Sequence, residues 1–184
     1  MRAAPGPLVK GAVLVTLASF PLAIHVALAN GGWPGMGAAS AQVVGTGLVT
    51  VSATIHTAVY TALLAAFGMS LLPGREALIT ALARKMHGTI PDDMAVYTRG
   101  VTWAWCGFFA AQLAISLALF LWAPVAAWSL FVNALDLPLL VLMFTAEHAY
   151  RMAHLSNPPR YTLSDVRRMM RYIKDGILQR ASSG

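Results

Sequence analysis

The stretch VTWAWCGFFAAQLAISLALFLWAPVAAWSLFVNALDLPLLVLMFTA, residues 101–146, decides the fold class of this chain. It holds two apolar runs, residues 101–123 and 125–146, which meet at Pro124. Each run reaches the roughly 20 residues that an α-helix needs to cross a hydrocarbon core of about 30 Å. The stretch therefore predicts two transmembrane helices joined by a short turn.

Two more apolar runs, residues 11–29 and 43–72, lie upstream of this hairpin. The whole chain of 184 residues is 58% hydrophobic and 11% charged, with a mean hydropathy of +0.65. A soluble domain carries about 25% charged residues. The composition and the four runs predict an all-α, polytopic membrane protein with four transmembrane helices.

The positions of the basic residues predict the orientation of these spans. The net charge is +6, and none of the thirteen basic residues falls in the two predicted outer connections. Two precede the first span, four lie between the second and third, and seven follow the fourth, which places all of them on one side. The positive-inside rule then puts both termini in the cytoplasm, with anionic lipid headgroups as partners and no nucleic acid.

The first apolar run has a second interpretation. Arg2 and Lys10 precede it and Ala27-Leu28-Ala29 ends it, so it also fits a secretory signal that is cut after Ala29. Pro21 and the length of the run favour a retained span. The orientation of the later spans is the same in both cases.

Two charged segments have the pattern of amphipathic helices that lie on the inner leaflet. The first, residues 75–87, belongs to a predicted transmembrane domain of residues 1–154, and it turns its basic residues away from an apolar stripe. The second lies in a predicted cytoplasmic tail, residues 155–184, where a helix from Leu163 has a basic face. The basic residues of the two segments are Arg75, Arg84, Lys85, Arg167, Arg168 and Arg171.

A group of polar residues is predicted inside the membrane, where a charge costs about 2.5–3.5 kcal/mol at the centre of a helix. Asp136 lies near the bilayer midplane, and Gln112 reaches a similar depth on the neighbouring span. Asn133 is one turn away, and His56 shares a proton with Asp136 if the spans pack in register. Pro138 is expected to kink the helix beside them. These residues form either a functional pocket or a hydrogen-bonded strut between helices.

A second polar group, Glu147, His148 and Arg151, lies at the predicted inner boundary of the fourth span. Glu147 and Arg151 have the i, i+4 spacing of a helical ion pair. The group is either an interfacial anchor or a site for a lipid headgroup or acyl chain. The single Cys106 and the lack of paired histidines at one depth predict no metal and no cofactor, and no residue is assigned to catalysis.

Three stretches, LLPGREALITALARKMHG, YTRGVTWAWCGFF and WSLFVNALDLPLLVLMFTAEHAYR, resemble a family of small uncharacterised bacterial inner-membrane proteins. Genes of that family lie beside ketosynthase, acyltransferase and dehydratase genes for aryl polyene and xanthomonadin-like pigments. The match includes the Pro-Gly-Arg-Glu turn at residues 73–76 and Glu147, Tyr150 and Arg151, but His148 stands where the family has an aromatic residue.

The resemblance implies a membrane accessory of lipid-like pigment assembly. The first expectation is therefore a non-enzymatic protein that recruits or positions cytoplasmic acyl-chain biosynthesis enzymes, or hands their lipid product onward. The alternative is a membrane-embedded enzyme or carrier that acts on a lipid or acyl substrate through Asp136 and His56.

Overall fold

The computed structural model describes residues 19–32 and 35–154. Within these ranges the chain is helical apart from short connections. The elements are α1 (Ser19–Ala29), α2 (Ala38–Ser70), α3 (Leu78–His87), α4 (Asp92–Trp122), α5 (Val125–Ser129), a π-helix (Leu130–Leu135) and α6 (Asp136–His154).

Three helical segments are long and apolar enough to cross a membrane: α2, α4 and the stretch Val125–Ala153 that runs from α5 into α6. They confirm an all-helical fold, and they coincide with three of the predicted spans in position, length and apolar composition. Of the predicted first span, residues 11–29, only α1 is described, and the remainder lies outside the described residues. The first span, and with it the total of four, therefore stays a prediction.

The chain divides into two compact units. The first unit combines the residues up to Ala66 with Trp105–Thr145, and the second combines Phe67–Ala104 with the residues from Ala146 onward. Of the charged residues in the described ranges, the first unit contains only Asp136 and the second contains all the others. The predicted domain boundary at residue 155 lies at the edge of the described chain and stays a prediction.

The core of the first unit lies around the buried residues Trp128, Phe131 and Val132. Val49 and Ala53 of α2 and Leu119 of α4 pack against them, among others. On the outside, Ile55, Leu117 and Leu142 are each about 60% exposed, as expected where a helix faces lipid.

In the second unit α3 begins at Leu78, three residues later than the predicted segment 75–87. The chain before it turns, because the Arg75 amide donates to the Leu72 carbonyl and Gly74 takes a positive φ of 78°. Ser70 Oγ then accepts the Leu78 amide at 2.9 Å, which satisfies one of the unpaired donors at the start of α3. Glu76 is consequently outside the helix, although it still reaches Arg84. The amphipathic, in-plane character of this helix stays a prediction.

Two acidic residues stand at the start of α4. Asp92 and Asp93 begin the helix directly after Pro91, and the helix continues without interruption through Tyr97 and Arg99 into the third span. Acidic side chains in the first turn of a helix interact favourably with its positive end.

The turn at Pro124 leads into α5 and then into the π-helix, whose i→i+5 hydrogen bonds make a wider turn than α geometry. Asp136 is the first residue after it. A departure from regular helix was expected at Pro138. The widened turn instead ends at Leu135, before the proline, where Phe131 and Val132 point into the core.

Candidate functional site

Asp136 is hydrogen-bonded to a tyrosine on another span. The Tyr60 hydroxyl of α2 donates to Asp136 Oδ1 at 2.5 Å, and His56 Nδ1 lies 3.8 Å from the same oxygen. The rings of His56 and Tyr60 are 4.6 Å apart. The expected approach of His56 to Asp136 is therefore present, and Tyr60 completes a three-residue group that we call the Asp136 cluster.

The position of the cluster follows from the spacing along α2. Ser52, His56 and Tyr60 are the buried residues of this helix, and their i, i+4 spacing puts them on one face. In most soluble helices the buried face is apolar, whereas here every buried side chain carries a hydrogen-bonding group. Polar residues of a membrane helix face the protein interior because lipid cannot satisfy them.

Gln112 also lies inside the first unit, with 3% exposure, but the structure gives it no hydrogen bond to Asp136. Asn133 Nδ2 donates to Ser129 Oγ at 3.1 Å instead of joining the Asp136 cluster. The predicted polar group is thus only partly assembled: His56 and Asp136 meet, and Asn133 belongs to a second network.

That second network centres on Ser129, which is completely buried. His25 Nδ1 of α1 lies 3.4 Å from Ser129 Oγ. Next to it, Trp128 Nε1 donates to Ser116 Oγ of α4 at 3.2 Å. These contacts link the end of α5 to α1 and α4. The partner of His25 is therefore Ser129, and His25 is not part of the Asp136 cluster.

The Asp136 cluster has the chemistry of a binding site for a protic group. Asp136 keeps 30% of its side chain exposed among the described residues, whereas His56 keeps 3%. Part of the Asp136 side chain is therefore accessible, while its Oδ1 accepts the Tyr60 hydroxyl. In the described part of the chain no three His, Cys, Asp or Glu side chains come close enough together to bind a metal ion.

The second predicted group is assembled in the second unit. Tyr97 of α4 donates its hydroxyl to Glu147 Oε1 at 3.0 Å, and Arg151 Nε lies 3.9 Å from the same oxygen. Arg151 also contacts His148 Nδ1 at 2.8 Å, and the Tyr97 ring stacks on Tyr150. The predicted ion pair is present, and Tyr97 was the partner that the sequence did not indicate.

The remaining predicted interface residues are only partly described. Arg84 makes an ion pair with Glu76 at 2.8 Å and keeps 55% of its side chain exposed. Arg75 precedes α3 in the turn, and Lys85 follows Arg84 on the exposed side of the helix. The tail residues Arg167, Arg168 and Arg171 lie outside the described residues.

Comparison with known proteins adds no relative: no family model, no curated protein and no solved structure matches this chain. The likeness to the family encoded beside pigment genes stays a prediction.

Proposed function

We propose that this chain is a multi-pass inner-membrane accessory protein that binds the polar end of a lipid-like acyl molecule at the Asp136 cluster and hands it onward. The observation that carries the proposal is the Tyr60–Asp136 hydrogen bond inside a unit whose described residues hold no other formal charge. A carboxylate in an apolar span costs free energy, so such a residue is expected to have a hydrogen-bonding partner or a functional role.

The geometry supports a ligand with a hydrogen-bond donor. Tyr60 engages Oδ1 of Asp136, and the exposed part of the carboxylate is left to accept a second donor. The hydroxyl or carboxylic acid at the end of an acyl chain supplies such a donor, and the chain itself would remain among the exposed apolar side chains of the spans. A polyene or fatty-acyl product, as the family resemblance implies, has this form.

The test is the lipid that co-purifies with the protein. Protein purified in mild detergent is extracted and its lipids are identified by mass spectrometry, for the wild type and for Asp136→Asn and Tyr60→Phe. We expect both variants to lose at least severalfold of one acyl species, because each removes part of the hydrogen-bonding arrangement. An unaltered acyl species indicates a carrier, whereas a chemically changed one indicates the enzymatic alternative.

Thr145→Val is the matched control. Thr145 lies in the same stretch of α6, and its hydroxyl donates to the Val141 carbonyl of its own helix. It should retain the lipid of the wild type. Retention of the same species by Asp136→Asn at normal protein level would contradict the proposal.

A second candidate function, recruitment of cytoplasmic acyl-chain enzymes, is favoured by the placement of charge. The described charges outside Asp136 belong to the second unit, and the Arg84 side chain is more than half exposed. An exposed basic helix at a membrane surface fits an acidic protein partner as well as anionic lipid.

Charge exchange across the Arg84–Glu76 pair tests recruitment separately from folding. Arg84→Glu alone breaks the ion pair. Arg84→Glu combined with Glu76→Arg restores the ion pair, but the positive charge then lies before α3 and no longer on it. If recruitment depends on the charge of α3, both variants lose co-purification with the enzymes of the host's acyl-chain machinery. Deletion of residues 162–184 should have the same effect, and unchanged co-purification in all three would exclude this function.

A further inference from the structure

Contacts between α2 and α4 place His56 opposite Gln112. Tyr60 packs on Phe109, with ring centroids 5.8 Å apart, and two turns away Ala53 and Ser116 line one groove. The partners run in opposite directions along the two helices, so the helices are antiparallel at this contact. His56 lies between Ala53 and Tyr60, and its counterpart between Phe109 and Ser116 is Gln112.

Both side chains are buried and each has a polar atom without a partner. Counted over the whole residue, His56 is 5% exposed and Gln112 is 3% exposed. Within the described residues, neither His56 Nε2 nor Gln112 Oε1 has a hydrogen-bond partner. An unsatisfied buried polar atom costs about 1–3 kcal/mol, and native proteins contain few of them. Because the antiparallel contact puts the two residues at the same level of neighbouring helices, one small group can serve both atoms.

The chemistry of the two atoms defines that partner. Gln112 Oε1 can only accept a hydrogen bond, whereas His56 Nε2 accepts or donates according to the tautomer. Asp136 beside Nδ1 favours a proton on Nδ1, which leaves Nε2 as a second acceptor. A water molecule satisfies both atoms in either tautomer, and a lipid hydroxyl satisfies them when Nε2 carries the proton.

We propose that His56 Nε2 and Gln112 Oε1 together bind a protic group, a water molecule or a hydroxyl of the bound lipid, between α2 and α4. His56 then connects this group on one ring nitrogen with Asp136 on the other, and a proton can pass between the two through the imidazole. The lipid source of the hydroxyl rests on the function proposed above, whereas the water source does not.

The sign of a stability change tests the proposal. In Gln112→Met the side chain keeps its length but loses the acceptor oxygen. If Oε1 binds a protic group, the midpoint of thermal unfolding falls by about 2–4 °C, because the group loses one of its two anchors. If Oε1 has no partner, the substitution removes an unsatisfied atom and the midpoint rises. A rise or no change overturns the proposal.

A double-variant comparison with His56→Phe tests whether the two atoms share one partner. A shared group makes the combined loss smaller than the sum of the two single losses, because either substitution already releases it. Additive losses mean two separate environments and also overturn the proposal. If His56→Phe does not fold, the direction in which Gln112→Met changes the unfolding midpoint still tests the proposal.

Removal of lipid distinguishes the sources. The protein is washed in detergent until mass spectrometry finds no bound acyl species, and the effect of Gln112→Met is measured again. An unchanged fall in the midpoint identifies water, and a fall that disappears identifies a lipid hydroxyl. The proposed function can fail without this inference failing. If Asp136→Asn retains the lipid, the proposed function is wrong, but a lower unfolding midpoint for Gln112→Met would still support a bound water molecule.

Discussion

At the scale of single residues, two tyrosines each donate a hydrogen bond to a partly buried carboxylate. Tyr60 donates to Asp136, and Tyr97 donates to Glu147, across 76 and 50 residues of chain. A phenol is suited to this position because its ring packs among apolar side chains while its hydroxyl satisfies the acid. Tyr60 is 4% exposed and contacts Phe108 and Phe109 with its ring.

The Tyr97–Glu147 contact gives a prediction for the second unit. Tyr97→Phe keeps the ring that stacks on Tyr150 but removes the hydroxyl, so a hydrogen bond to a carboxylate is lost and stability should fall by about 1.5–3 kcal/mol. Thermal unfolding in detergent measures the loss. Thr145→Val, whose hydroxyl is bonded within its own helix, should change stability by much less. Equal effects of the two substitutions would show that the hydroxyl of Tyr97 contributes little.

Asp136 could be identified from the sequence, whereas its donor could not. A single acid in an apolar run is conspicuous, and counting residues gives its depth. The partner depends on how the helices are rotated about their axes, which depth does not determine. Tyr60 shares a helical face with His56, and that i, i+4 spacing was the available signal. Gln112 was expected beside Asp136 because of its depth, but the structure gives it no hydrogen bond to that carboxylate.

At the scale of elements, α3 is held by hydroxyl groups as well as by apolar packing. Ser70 Oγ accepts the Leu78 amide and donates to the Phe67 carbonyl, which links the end of α2 to the start of α3. The hydroxyls of Thr80 and Thr98, both buried, are 2.8 Å apart and join α3 to α4. These bonds fix where α3 begins, which is the feature that the charge pattern of the sequence misplaced by three residues.

Ser70→Ala should loosen the first turn of α3. Ala77 stands at the N-cap and provides no side-chain cap, so loss of Ser70 leaves the Leu78 amide without its acceptor. A lost cap costs about 1 kcal/mol. Faster amide hydrogen exchange at Leu78 and its neighbours, with unchanged exchange in the middle of α4, is the expected result. Ser70→Thr retains the hydroxyl and should restore protection.

Because of the π-helix before Asp136, we expect the protein to tolerate deletion of one residue there better than deletion of one residue from α2. A π-helical turn contains about one residue more than an α-helical turn, so deletion of Ala134 can be absorbed by a return to α geometry that leaves Asp136 near Tyr60. Deletion of Ala58 from the uninterrupted α2 rotates one half of that helix by about 100° against the other. Unfolding midpoints should therefore fall far less for the first deletion than for the second. Equal falls would mean that the widened turn absorbs nothing.

At the scale of the whole molecule, the hydropathy of the sequence was sufficient for the helical class and for three spans, because length and composition alone decide whether a helix can cross a membrane. It was not sufficient for the division of the chain into units. Each unit combines segments from distant parts of the sequence. Such grouping arises from packing between α2, α4 and the last span, for example at Trp128, and not from local pattern.

The topology itself is testable with reporter fusions. If both termini are cytoplasmic, reporters that are active only outside should be active when inserted at Gly37 and at Ala123, and inactive at Thr89 and after Gly184. Cytoplasmic reporters should give the opposite pattern. The positive-inside rule is the physical basis, because the outer connections carry no basic residue. Activity of the outside reporter at Thr89 would contradict the predicted orientation.

The isolation of Asp136 in the first unit also has an electrical consequence. The membrane voltage acts on charges within the bilayer with about 2.3 kcal/mol per elementary charge for a full crossing at 100 mV. For a charge halfway across, where the sequence places Asp136, this energy would be roughly 1 kcal/mol per 100 mV. A polarised membrane would thus act on this carboxylate with an electrical energy that detergent-solubilised protein, which experiences no voltage, does not have.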